Sequence, residues 1–432
     1  MPGGVRYLRT FGDCPDADAP FARGLSQQSF TAVAVMQLVE QGAVDLDAPA
    51  SRYAPGYDVP DEVTVRSLLN QTSGFGAYDS LAEAADGELG ETFGAFSYAN
   101  ANYDLLGRVV EGASGEDYAR YLDEHVLEPL GMASTTADPA RAEALGMVPG
   151  HRDWFGLPVA DGFRHAQGDG AWGGPASGYV ASSVRDMASY LRMYLNGGMG
   201  GDGARVLSAD SVRRMFLDRV PDPEGDTYYG MGWTSFSWDD GELVLSHDGQ
   251  VENYTASMCL LPERGIGIVA LSDANDNAGG NIRFFDLVGG VVSVAIGGTG
   301  QPMDDAWTWA WRQRVDVLYA SALLLAVSPL LLTGRWRRRL SAACRGGVAP
   351  IVRARSLRML LVRGVLLHVA LPACILALPF VWGVPWRDLL TFSPDVSTVL
   401  LASAGLLVVA GAVRLAAAVT LRNDEPPPSI MR

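Results

Sequence analysis

Lysine is absent from this chain of 432 residues; all 33 basic side chains are arginine. Arginine stays protonated in proteins, so no side-chain amine is available to act as a general base. Cysteine is scarce too. Cys14, Cys259, Cys344 and Cys374 form no CxxC or other close pair, which supports neither a zinc site nor a disulfide framework. A Cys14–Cys259 bridge stays open, and Cys259 and Cys374 lie in apolar stretches that read as buried, inert thiols. No pattern calls for a metal or another cofactor. Positive charge is thin in residues 1–305, where 18 Arg face 44 Asp and Glu, a net of −26. That balance argues against a nucleic-acid partner. Residues 306–432 hold 15 Arg against 5 acids, a net of +10. Such asymmetry predicts two parts in different surroundings.

What is present begins with residues 21–41. Phe30, Val33, Ala34, Met36, Leu38 and Val39 recur near helical spacing, so residues 26–41 read as a largely buried helix after a tight entry at Gly24. Ahead of it, residues 5–11 read as a strand ending at Gly12. Residues 77–95 are acidic and Gly-rich and read as a solvated loop. A helix is predicted from Tyr103, and another from Val184 with Ser182 or Ser183 as its cap, stopped by Asn196-Gly197-Gly198. Strands follow at 229–233, 243–249, 255–261 and 266–271, and a last helix at 282–296.

Three separated elements then carry a resemblance. The first is the block Gly24-Leu25-Ser26-Gln27-Gln28-Ser29-Phe30-Thr31. The second is Tyr98-Ala99-Asn100, followed by Asp104-Leu105-Leu106-Gly107. The third is His247-Asp248-Gly249 at the end of a strand. With Leu68-Leu69-Asn70-Gln71-Thr72-Ser73-Gly74, they resemble the serine β-lactamase and penicillin-binding-protein family, including class C β-lactamases and D-Ala-D-Ala carboxypeptidases. The resemblance covers about residues 5–296. It implies an α/β (α+β) fold: an antiparallel sheet flanked by helices, plus an all-helical region. It also implies roles. Tyr98 would shuttle a proton with a lysine, Asn100 would bind the substrate amide, and His247 with Gly249 would line the site. The backbone of that strand would help form the oxyanion hole.

The departures are as specific as the matches. The family's nucleophilic serine aligns with Leu25, and its lysine base, three residues on, with Gln28. Gln71 replaces the usual histidine of the Leu-Leu signature. Leu25 has no nucleophilic atom and Gln28 no titratable nitrogen. Hydroxyl nucleophiles need an adjacent base, and losing one member of such a set costs on the order of a million-fold in rate. The expected function is therefore a β-lactamase-like domain impaired in acyl-enzyme chemistry, which binds a cell-wall peptide, a β-lactam-like ligand or a partner in the old cleft. One alternative is an active hydrolase of β-lactams, D-amino peptides or esters using Ser26. Against it, consecutive helix residues point about 100° apart, and Ser26 is followed three places later by Ser29. Others are a membrane scaffold or sensor, and a decayed gene product. The family places a further helix and strand, often behind a secretory signal, before residue 5. Residues 1–20 hold no such apolar run, so a truncated start is expected.

From residue 315 the chain turns apolar. Three runs, about 315–333, 364–383 and 396–413, approach the roughly 20 residues a spanning helix needs. Nine arginines between 335 and 363 predict a cytoplasmic loop. Trp307, Trp309 and Trp311, and later Trp382 and Trp386, then fall at the outer interface. The expected order is a β-lactamase-like domain over 1–296, a linker over 297–314, a membrane domain over 315–422 and a tail over 423–432. The localisation that follows is multi-pass in the plasma membrane, the first domain extracytoplasmic and the C-terminus inside. His368 is the only His, Arg, Asp or Glu well within these runs, and near the inner end it reads as a hydrogen-bonding partner of a neighbouring helix.

Overall fold

The computed structural model describes residues 4–22, 28–237, 241–277, 280–300, 305–344 and 350–423; within these, the side chains of 305–313, 350 and 421–423 are left aside. Leu25 and Ser26 lie outside the described residues, as do the side chains of Trp307, Trp309 and Trp311. The chain divides into two compact units, residues 1–153 with 158–303, and residues 154–157 with 304–432.

In the first unit, helix α1 (Gln28–Glu40) is the central element. Every residue from Gln28 to Met36 is buried. A helix enclosed on all sides needs no polar face, which suits the unbroken run Ala32-Val33-Ala34-Val35-Met36. Phe30 stacks on Tyr190 with ring centres 3.9 Å apart. Helix α2 (Val65–Leu69) is capped by Thr64, whose hydroxyl accepts from the Ser67 N–H. Helix α3 (Asn100–Ser114) packs on both. Helix α4 (Val184–Leu195) is capped by Ser183, and α5 (Ala209–Leu217) follows.

Strand β1 (Phe21–Ala22) pairs antiparallel with β2 (Ala181–Ser182). The main sheet is a six-stranded antiparallel meander: β3 (Val220–Pro221), β4 (Tyr228–Gly230), β5 (Trp233–Ser237), β6 (Leu243–Val251), β7 (Tyr254–Leu261) and β8 (Ile266–Ser272). Successive strand side chains point to opposite faces, and β7 shows both. Met258 and Leu260 enter the main core, while Cys259 and Leu261 pack with Val244 against Val292 of α6 (Gly280–Ala295) and Ile296 just beyond its end. The sheet is thus covered on one face by α6 and on the other by the helical core, where Leu191 of α4 presses on Gly267.

Two expectations are corrected. Residues 5–11 form no strand; Tyr7 and Phe11 are 73% and 71% exposed, and among the described residues no strand pairs with them. Cys374 is exposed; Cys14 and Cys259 are free thiols in separate clusters. Burial pushes the Cys259 thiol up to about 12.

The second unit is helical. Three of its stretches are long and apolar enough to cross a membrane: Arg314–Leu331, Ile351–Leu376 and Pro394–Thr420. Residues 335–344 and 350–363, which carry most of the arginines, are helical as well. His368 sits in a wide turn of the middle helix. Its Nδ1 lies 2.7 Å from the Leu407 carbonyl, and its Nε2 lies 3.1 Å from Nη1 of Arg414, which also donates to the Pro329 carbonyl.

Candidate active site

The N-terminal turn of α1 delivers Gln28, fully buried, to the meeting point of three elements. Its Nε2 lies 2.5 Å from the Tyr98 hydroxyl and 3.5 Å from Asn100 Oδ1. Its Oε1 accepts from Gln71 Nε2 at 3.1 Å and from the Tyr229 hydroxyl. Gln71 Oε1 in turn accepts from the Ala99 backbone N–H at 3.0 Å and from the Asn102 amide. The fold thus joins two of the expected site residues, Tyr98 and Asn100, through the side chain at the vacated lysine position.

Local backbone geometry explains how. Helix α2 ends at Asn70, and Gln71 then adopts φ +59°, the left-handed region a non-glycine residue seldom occupies. Met231, at φ +47° between β4 and β5, does the same. Its N–H is shared between the Leu69 carbonyl and Asn70 Oδ1. Strained conformations of this kind cluster at sites and cost about 1–3 kcal/mol each. Gly232 is required beside Met231: at φ +85° a Cβ there would lie 2.5 Å from Ser29 Cα.

His247 is buried on β6, its ring 6.3 Å from that of Tyr229 and its Nδ1 3.0 Å from the Asp248 carbonyl. Gly249, two residues on, is in register with Ala256 of β7. Tyr229 and Asn102 belong to the site although no motif names them. Gln71 is legible in the Leu-Leu signature, where it stands in place of the family's histidine.

The electrostatics follow from burial. Tyr98 is held well above the ordinary phenol range, first by burial and then by Tyr229 and Asp104, with the Gln28 contact acting the other way. Burial likewise raises Tyr229. Asp104, one turn along α3, is pushed by burial up to about 7, against the pull of Ser177 and the Gly174 N–H, 2.9 Å away. Lysine in place of Gln28 would bring a positive charge that favours a Tyr98 phenolate, whereas the carboxamide brings only its hydrogen bond, which burial outweighs. The network of Gln28, Gln71, Tyr98, Asn100, Asn102 and Tyr229 consists of neutral groups that hold and direct protons without exchanging them near neutral pH. Among the described residues, Glu116, Glu124 and His125 bring metal-type ligand atoms within 4.8 Å of one another, but Arg120 already pairs with Glu124 at 2.8 Å.

Sheet, helical core and the buried polar cluster between them define a domain of the β-lactamase and penicillin-binding-protein kind. The sequence profile of the beta-lactamase family matches residues 16–286, and the chain belongs to that family. It is 28% identical over 298 residues to penicillin-binding protein 4 of Amycolatopsis lactamdurans, covering 62% of this chain and 75% of that one. It is 25% identical over 269 residues to protein flp of Staphylococcus aureus strain MW2, covering 57% and 51%, so it spans about half the length of that relative. Among solved structures, the octameric penicillin-binding protein homologue from Pyrococcus abyssi superposes with a TM-score of 0.53 at 26% identity, over 65% of this chain and 67% of that one. The class C beta lactamase of Rhodobacter sphaeroides, at 21% identity and a TM-score of 0.51 over 64% and 87%, shares the fold.

Proposed function

We propose that this chain is a membrane-anchored, extracytoplasmic member of the family that has left acyl-enzyme chemistry and uses the cleft to bind a cell-wall peptide or a peptide-like partner. One observation carries the reading. The position of the lysine base is filled by a carboxamide, Gln28, whose oxygen takes two donors and whose nitrogen contacts two acceptors. A satisfied neutral amide takes no proton from a nucleophile, and a chain without lysine offers no replacement. The three apolar helices support the membrane anchor. The arginine-rich stretch between the first two supports an outward-facing first unit. Fluorescent penicillin incubated with the purified full chain tests the reading. No covalent label is expected, and stoichiometric capture would overturn it.

A further inference from the structure

The hydrogen bonds around Gln28 have a fixed direction, and that direction begins at the backbone. The Ala99 N–H can only donate, so the atom of Gln71 that faces it at 3.0 Å is the carbonyl oxygen. The other end of that amide is then a donor, and it meets Gln28 at 3.1 Å. The Gln28 atom it meets is therefore an oxygen, a choice reinforced by the Tyr229 hydroxyl donating to the same atom. Gln28 accordingly presents its NH2 to Tyr98 and Asn100. Tyr98 accepts this bond at 2.5 Å, so its own hydroxyl proton is not used within the relay. Asn100 turns its oxygen toward Gln28. Its Nδ2 is buried, 1% of the residue being exposed, with no hydrogen-bond partner among the described residues. A buried donor left unpaired costs about 1–3 kcal/mol, which a bound acceptor would recover.

Resting on the reading that the cleft binds without acyl transfer, we propose that Gln71 and Gln28 together convert it into a donor-only recognition site. Tyr98 donates a hydrogen bond from its hydroxyl and Asn100 from its amide nitrogen to a carboxylate of the ligand. The relay runs through the two positions where this chain departs from the family's histidine and lysine. Lysine at position 28 alone would set a donor against the Gln71 donor, whereas a neutral histidine at position 71 would still accept from the Ala99 N–H and donate to Gln28, so the residue at position 28 sets the polarity of the relay. Tyr98 becomes a specificity-determining donor rather than a proton shuttle, and ligands that offer only donors, such as amines, are excluded.

The test reverses one bond while nearly keeping its shape. In Gln28→Glu, above neutral pH, the carboxylate still accepts from Gln71 and Tyr229 but takes the Tyr98 proton instead of donating to it. The full chain in lipid nanodiscs, labelled with 13C at tyrosine Cζ, reports this without any ligand. The Tyr98 signal, assigned by its loss in Tyr98→Phe, is expected to move downfield toward the phenolate position in Gln28→Glu. A signal that does not move overturns the relay. The binding arm uses N-acetyl-D-alanyl-D-alanine and an analogue with an amine in place of its terminal carboxylate. Wild type is expected to take the carboxylate form only, and Tyr98→Phe and Gln28→Glu each to lose about tenfold in affinity, with melting temperature as the folding control. Preference for the amine form, or no binding of the carboxylate form to wild type, overturns the ligand class. Covalent capture of penicillin would sink the preceding reading of function, while the NMR shift judges the relay separately.

Discussion

A lysine placed at position 28 would meet two donors, Gln71 Nε2 and the Tyr229 hydroxyl. Both would lose their acceptor, and the ammonium would be buried beside them. Each unpaired donor costs about 1–3 kcal/mol, so Gln28→Lys is expected to lower the stability of the first unit by a few kcal/mol, read by chemical denaturation. It is also expected to leave penicillin labelling at background, because Leu25 still lacks a hydroxyl. Leu25→Ser alone should also stay at background for want of a base. Nucleophile and base act as a unit, so only the double variant Leu25→Ser with Gln28→Lys should gain measurable acylation. Labelling of wild type equal to that of the double variant would show that the vacated pair is not what silences the site. The loss at position 28 is legible from the sequence because it falls within a block of fixed spacing. The relay is not. It joins residues 43 and 201 positions away and depends on the left-handed turn at Gln71, which no periodicity reports.

At the scale of elements, most strands and helices follow from pattern. The alternation of β7, half toward the helical core and half toward α6, is a period-two signal with little to compete with it. The middle candidate span is harder to delimit. Arginines at 353, 355, 358 and 363 lower the apolarity of its first half, so pattern alone reads the run as 364–383, and the stretch long and apolar enough to cross a membrane is Ile351–Leu376. Residues 5–11 misled in the other direction, because alternation alone makes no strand without a partner edge. Helix α3 carries a testable consequence of burial. The Asp104 carboxyl, raised to about 7, joins α3 to the loop that holds Gly174 through the Gly174 N–H. A raised acid favours the folded state while protonated, and that contribution is lost as pH climbs from its unfolded value near 4 through about 7. The first unit is thus expected to lose stability on the order of a few kcal/mol over that window, and Asp104→Asn to flatten this part of the profile. A melting-temperature series against pH in which both proteins run parallel would refute it. A second prediction concerns the turn between β4 and β5. Gly232→Ala forces a Cβ against the backbone of Ser29 at the start of α1 and should cost about 3 kcal/mol, with thermal unfolding as the readout.

For the whole molecule the decisive asymmetry is charge. The first 305 residues carry a net of −26, and nine arginines crowd residues 335–363, five of them between the first two candidate spans and four in the first half of the second. Arginine near membrane segments holds to the cytoplasmic side far more strongly than acidic residues hold to the other. An inward-facing anionic leaflet adds about 1 kcal/mol per basic residue close to its surface. With the first span at Arg314–Leu331, an arginine stretch held inside requires the chain before that span to lie outside. The cleft would then face the cell-wall compartment, where a carboxylate-ended peptide is within reach and a cytoplasmic ligand is not. Single-cysteine chains separate these arrangements. Cys344 lies at the end of the arginine-rich helix Thr333–Cys344, and Leu89, 42% exposed, marks a loop of the first unit. In intact cells a membrane-impermeant maleimide should label a Leu89→Cys chain lacking the native cysteines. A chain retaining only Cys344 should react only after permeabilisation. The opposite pattern would place the cleft in the cytoplasm and remove the cell wall as its source of ligand, whatever the donors of Tyr98 and Asn100 prove able to bind.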